Sequence, residues 1–157
     1  MSEQKLPMRI GVGIIVLNKK NQVFVGKRRD NPGDKWQMPQ GGLDKDENFK
    51  TAMRRELMEE TSIKNFKIVR EIEQIYEYEL PNNLIGIIWK GKFRGQKQKW
   101  FIIRFLGEDN DININTKHPE FIDWRWIDPK NLPDVIVNFK KDLYINLLKE
   151  IKATVNL

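Results

Sequence analysis

Two apolar stripes at helical spacing, Phe49-Met53-Leu57 and Phe139-Leu143-Leu147-Ile151, stand far apart in the chain, with β-type runs before and between them. That order limits the fold more than any other feature. Helices so separated cannot pack as one local bundle, and the strands need cover on both faces. The expected architecture is therefore α/β, a mixed sheet covered by helices.

The first run, Ile10–Leu17, is almost continuously apolar and rich in β-branched residues. Asn18-Lys19-Lys20-Asn21 supplies a turn and Val23–Val25 resumes the pattern, which predicts a buried hairpin. Asp30–Lys35 carries the loop signal Asn-Pro-Gly-Asp. Asn48–Thr61 is predicted as a helix, with Asp44 and Glu47 resembling a capping box in front of it. Strands are predicted at Lys67–Ile72, Gln74–Leu80, Lys97–Leu106 and Phe121–Ile127, and a closing amphipathic helix at Val135–Ile151. Ile85–Trp89 is apolar but fits neither period.

With 157 residues, no repeat and no linker, one domain spanning 1–157 is expected, with residues 1–7 as a flexible N-terminus. The absence of cysteine excludes disulfides, thiolate zinc sites and cysteine nucleophiles, and suits a reducing cytosol. No signal-like or membrane-spanning apolar run is present, so the expected location is the cytoplasm and no membrane partner is expected. Lys and Arg number 28 against 22 Asp and Glu, a net charge of +6 that suits a phosphate-rich partner.

The chemistry sits on the first helix. Glu59 and Glu60 lie three and four positions after Glu56, so the carboxylates share one face. Like charges at that spacing repel by some tenths of a kcal/mol per pair on an exposed helix. Arg54 or Arg55 could neutralise them as ordinary surface pairs. A divalent cation would reverse the sign, since clustered hard oxygens are what magnesium or manganese prefers.

Wider spacing decides between these readings. Gly41, Glu47, Arg55, Glu56, Leu57, Glu59, Glu60 and Ile63 fall in register with the pattern G-x5-E-x7-R-E-U-x-E-E-x-G-U, where U is bulky and aliphatic. The segment resembles the Nudix box, departing only at Ser62, where that family usually has Gly. The resemblance implies an α/β/α sandwich with a mixed β-sheet, a catalytic loop-helix-loop and a C-terminal helix. It implies Glu56, Glu59 and Glu60 as ligands of magnesium (or manganese), joined by the Gly41 carbonyl. Glu47 and Arg55 are similar to the family's orienting pair. Glu120, in a loop before a strand, takes the place of the further carboxylate such proteins draw on as base or extra ligand. His118 is left outside the chemistry.

Trp36-Gln37-Met38-Pro39-Gln40-Gly41-Gly42, Gly95-Gln96-Lys97-Gln98-Lys99-Trp100-Phe101, the Pro119–Trp126 segment and Val137-Asn138-Phe139-Lys140 together resemble the bacterial RNA pyrophosphohydrolases, a branch also described as dinucleoside polyphosphate hydrolases. The resemblance implies removal of pyrophosphate from 5′-triphosphate or diphosphate RNA ends, which initiates RNA decay. RNA ends or nucleoside polyphosphates are then the expected partners, and DNA is not. Arg9, Arg28 and Lys97 or Lys99 are candidate phosphate contacts. Strand alternation allows Lys97 and Lys99, or Gln96 and Gln98, to face one site, but not both pairs without a bulge. The resemblance also places a base on Phe139 and the next against the Val137 backbone and the Lys140 side chain. Phe139 equally begins the stripe of the last helix, so a core role competes. Trp124 and Trp126 are expected in the core and Trp36 at the edge of the site. The rival functions are diadenosine polyphosphate hydrolysis and a non-catalytic RNA-binding Nudix module.

Overall fold

A computed structural model describes residues 6–30 and 33–157. Residues 1–5 of the expected flexible N-terminus, and Asn31 and Pro32 of the expected loop, lie outside them.

Among the described residues eight strands form one mixed sheet: β1 (Met8–Leu17), β2 (Val23–Arg28), β3 (Trp36–Gln37), β4 (Gln40–Gly42), β5 (Phe66–Glu71), β6 (Tyr76–Glu79), β7 (Gly95–Phe105) and β8 (Phe121–Ile127). Strand β1 lies inside the sheet, parallel to β7 from Met8↔Gly95 to Leu17↔Arg104. Its unbroken apolar run follows from burial on both faces. The expected hairpin is narrower than its sequence implies. β1 and β2 are in register at Leu17↔Val23 beside the turn, after which β4 takes the edge of β1 and β3 that of β2. The intruding Pro39-Gln40-Gly41 segment is what splays it.

One face of the sheet, with Val12, Ile14, Phe24, Phe101 and Ile103, packs on Ala52, Met53 and Leu57 of α1 (Phe49–Thr61). The other, with Ile15, Val25, Trp100 and Ile102, packs on Leu143, Tyr144, Leu147 and Ile151 of the C-terminal helix (Lys141–Thr154). This is the expected α/β/α arrangement. Leu57 is fully buried, so truncating it to Ala would cost about 2–5 kcal/mol. Trp124 and Trp126 lie against the first of these cores, Trp124 stacked on Phe24 with ring centroids 5.5 Å apart.

Two local details differ from the sequence reading. The cap of α1 is Asn48, whose side chain accepts from the Thr51 N–H at 2.8 Å. Asp44 is not the cap: its N–H donates to Glu47 Oε1 at 2.9 Å within the turn that precedes the helix. The expected single helix at Val135–Ile151 is broken, because Ile136 and Val137 are extended between a short turn of helix, α2 (Leu132–Val135), and the C-terminal helix, α3. Phe139 therefore leaves the apolar stripe of α3. At the other end of α1, Ser62 adopts the left-handed conformation (φ 66°) of a helix C-cap. Its N–H donates to Met58 O at 2.9 Å and its hydroxyl to Asn113 O at 2.8 Å, which offsets the cost of a non-glycine residue there.

Candidate active site

A cleft of about 1090 Å³ opens where β4, the C-terminal half of α1 and the loops after β6, β7 and β8 meet. The Pro39-Gln40-Gly41 segment brings the backbone of Gly41 against the side chain of Glu56. A β-carbon on Gly41 would run into that carboxylate, so the close approach requires glycine. Glu56, Glu59 and Glu60 line the cleft from α1, and Glu120 and His118 from the loop before β8.

Arg55 organises the helix face. Its Nε and Nη2 fork onto Glu47 at 2.8 and 2.9 Å, Nη2 also donates to Gly42 O at 2.8 Å, and Nη1 donates to Glu56 Oε1 at 2.8 Å and Glu59 Oε2 at 3.2 Å. The Arg55 hydrogen bonds, with the Asp44 N–H, hold the Glu47 carboxyl down at about 2. The same fork ties the loop before α1 to the helix.

Glu60 is the unusual group. It is buried, and its Oε2 has no hydrogen-bond partner among the described residues. Burial first, then the nearby charges of Glu56 and Glu120, push its pKa well above the carboxylate range. Burial likewise raises Glu56 to about 7, against the opposing pull of Arg55. Among the described residues no three acidic or histidine side chains are already close enough to hold an ion as they stand. The donor chemistry nevertheless fits a divalent cation. The orphaned buried oxygen of Glu60 and the raised carboxyl of its neighbour Glu56 are both stabilised by one added positive charge.

Cationic and aromatic groups line the rest of the cleft. Arg28 forks onto Asp30 through Nε and Nη2, each at 2.7 Å, and comes within 3.6 Å of Glu120. Lys140 is buried with its Nζ 3.5 Å from Gln37 Oε1 and 4.8 Å from the Tyr78 ring centroid. Burial chiefly, and Arg28 next, lower its pKa to about 7. Val137 and Phe139 complete that end, with Phe139 6.0 Å from Tyr78 between ring centroids.

The cleft therefore gathers Arg9, Arg28, Gly41, Glu56, Glu59, Glu60, Glu120, Val137, Phe139 and Lys140. It does not gather Lys97 and Lys99. Lys97 is exposed, and Lys99 reaches Glu71 at 3.7 Å on the other side of β7. Alternation turns Gln96 and Gln98 inward instead, with no bulge to bring both pairs together. Trp36 is buried beneath Arg125, at 4.2 Å, and lines only a small adjoining hollow. Sequence reasoning passed over Asp30, Gln37, Gln40, Tyr78 and Trp89, which also line the cleft. Gln37 and Gln40 belong to the Trp36–Gly42 segment that leads into the box. Tyr78 and Trp89 carried no local signal.

The sequence matches the NUDIX domain family over residues 7–147, most of its length. The chain belongs to the Nudix family. This Nudix protein is 58% identical to an RNA pyrophosphohydrolase of Pelagibacter ubique (strain HTCC1062), over 99% of this chain and 100% of that one. It is 48% identical to an RNA pyrophosphohydrolase of Roseobacter denitrificans (strain ATCC 33942 / OCh 114), over 95% of this chain and 94% of that one. The same fold recurs in the E. coli dihydroneopterin triphosphate pyrophosphohydrolase, with a TM-score of 0.72, 19% identity and coverage of 93% of this chain and 99% of that one. It recurs also in a C. elegans Ap4A hydrolase binary complex, with a TM-score of 0.66, 17% identity and the same coverage. Nudix hydrolases act on pyrophosphate bonds and generally use divalent metals. Among the described residues no helix is long and apolar enough to cross a membrane.

Proposed function

We propose that this Nudix hydrolase, acting as one domain, converts 5′-triphosphate or diphosphate RNA ends to 5′-monophosphates, so initiating RNA decay in the cytoplasm. The observation that carries the reading is the continuity of the cleft. It joins the buried, unpartnered oxygen of Glu60 at one end to Lys140, Phe139 and Tyr78 at the other. A polyphosphate attached to a nucleoside has that same succession of chemistry. The extensive identity to two proteins named RNA pyrophosphohydrolase favours RNA as the nucleoside component.

In this reading Glu56, Glu59, Glu60 and Glu120, with the Gly41 carbonyl, hold magnesium, for which manganese can substitute. Such ions neutralise phosphoryl oxygens and acidify water. The chain's own residues do the remainder. Arg9 and Arg28 meet phosphate oxygens as charged donors. A cleft carboxylate accepts the proton of the attacking water. Arg55 and Glu47 fix the helix that carries the ligands and touch no reacting atom. Phe139 stacks on a base, and the Val137 backbone and Lys140 contact the adjacent one.

Comparison of kcat/KM for a 5′-triphosphorylated RNA oligonucleotide and for diadenosine tetraphosphate tests the substrate. RNA is expected to be preferred, and a clear preference for the dinucleotide overturns the assignment. RNA binding without any phosphate release would instead fit a non-catalytic module, against which the complete carboxylate set argues.

A further inference from the structure

The Gln96-Lys97-Gln98-Lys99-Trp100 run has no part in the chemistry above, yet its inward members form a chain of hydrogen bonds that ends at the cleft wall. Trp100 Nε1 donates to Gln98 Oε1 at 3.0 Å. Gln98 Nε2 donates to Gln96 Oε1 at 2.8 Å and to Gln40 Oε1 at 2.9 Å. The Tyr78 hydroxyl donates to Gln96 Oε1 at 3.3 Å, and Gln40 Nε2 approaches the Tyr78 oxygen at 3.4 Å. Gln96, Gln98 and Trp100 are fully buried, whereas Gln40 lines the cleft.

The direction of this chain is forced. The two ends of a glutamine amide are nearly indistinguishable in shape, so either orientation usually fits. An indole N–H can only donate. Gln98 must therefore turn its oxygen to Trp100, leaving its NH2 group to face the other way. Both of those hydrogens are used on the carbonyl oxygens of Gln96 and Gln40. Gln40 in turn must direct its NH2 group away from β7. One hydrogen has the long contact to Tyr78, and the other is surplus. The chain thus runs from a pure donor to spare donors, since Gln96 Nε2 is also without a partner among the described residues. A buried donor left unmatched carries a desolvation penalty that nothing repays, so two glutamines arranged this way need a compensating gain.

We propose that Trp100, acting through Gln98, fixes the orientation of Gln40, and that Gln40 donates its side-chain N–H to a phosphoryl oxygen of the substrate. Gln40 adjoins Gly41, and its backbone N–H opposes the upward shift of the Glu60 carboxyl, which places it at the acidic end of the cleft. A neutral amide can be buried there without the desolvation cost of a charged side chain. Gln40 is then a binding residue, and Gln98 and Trp100 are positioning residues. The inference rests on the cleft being the polyphosphate site proposed above.

The test is a double-mutant cycle on kcat/KM for triphosphorylated RNA in saturating magnesium, with thermal midpoints recorded for each protein. Trp100→Phe keeps an aromatic ring and removes the donor. It is expected to lower kcat/KM about tenfold, mainly through KM, as is Gln40→Leu, this being the scale of one hydrogen bond. The double variant is expected to be no worse than Gln40→Leu in activity, although its stability loss persists. Gln40→Glu, which puts a carboxylate beside the phosphates, is expected to fall below Gln40→Leu. An undiminished effect of Trp100→Phe in the Gln40→Leu background overturns the proposal, as does full activity of Gln40→Glu. If Trp100→Phe does not fold, Gln98→Met, which removes the donor to Gln40, takes its place under the same criteria. Wild-type protein that hydrolyses diadenosine tetraphosphate but not RNA refutes the RNA assignment alone, and the cycle is then read on that substrate. If it hydrolyses neither, both fall.

Discussion

The guanidinium of Arg9 lies 5.3 Å from the centroid of the Trp89 ring, and it sits so close to Gly42 that a β-carbon there would run into it. Trp89 holds this position in a left-handed backbone conformation (φ 55°, ψ 38°), which is costly for an aromatic residue. A clamp of this kind restricts a cation that would otherwise sample many rotamers. Trp89→Leu is therefore expected to raise KM for polyphosphate substrates by up to about tenfold, the upper range of a cation–π contact, with little change in kcat. Steady-state kinetics check this, and an unchanged KM would show that Arg9 needs no such support.

Arg55 pairs with four carboxylates, Asp44 and Glu47 in the loop before α1 and Glu56 and Glu59 on the helix, so its loss acts on geometry as well as charge. Arg55→Ala leaves Glu56 without its strongest counter-charge and releases Glu47. Displacements of about 1 Å near reacting groups can cost 10²-fold, and a kcat loss of that order is expected. The protein should still fold, because the face of α1 that carries Met53 and Leu57 is untouched. Circular dichroism with single-turnover kinetics separates the two effects.

Burial raises Glu56 to about 7 against an ordinary value of 4.5, so the folded protein binds a proton that the unfolded chain has released. This stabilising contribution is complete below 4.5 and is lost as pH rises through about 7. In EDTA the thermal midpoint should therefore decline over that interval. Magnesium should restore more stability at pH 8 than at pH 5, because its ligands must be deprotonated. Thermal melts across pH with and without magnesium measure this directly, and equal gains at both pH values would refute it.

Lys140 has the opposite sign. Its pKa is lowered to about 7 from 10.5, so the unfolded chain holds the extra proton and stability rises with pH between those values. Lys140→Met should stabilise the protein at neutral pH by on the order of 1–4 kcal/mol, the range seen when buried ionic groups are replaced by apolar ones. The advantage should shrink towards pH 10.5. The same variant should bind RNA more weakly, so stability and affinity move in opposite directions. Melts and binding titrations across pH test both.

The first helix was legible because metal-type ligands at fixed spacing leave few alternatives, and the register from Gly41 to Ile63 specifies loop and helix together, although the cap falls on Asn48 and not on Asp44. The sheet faces were less so. Alternation separated Lys97 and Lys99 from Gln96 and Gln98 but could not say which pair turned inward. That depended on Gln40, Tyr78 and Trp100 offering hydrogen-bond partners for amides. The role of Phe139 was open for a similar reason. Its four-residue spacing to Leu143 matched a helix that breaks at Ile136 and Val137, where the chain turns toward the cleft. Trp89 belongs to a loop with left-handed residues and no periodicity, so only tertiary contact reveals its place.

The most direct test of the account is phosphate and pyrophosphate release from 5′-triphosphorylated RNA as magnesium is titrated, for the wild type and Glu60→Gln. The wild type is expected to require the cation, and Glu60→Gln to lose at least about 10²-fold in turnover, as when one group stabilising transition-state charge is removed, while remaining folded. Release that persists in excess EDTA, or a Glu60→Gln protein as active as the wild type, would contradict the claim that these carboxylates are gathered to hold a metal against a polyphosphate.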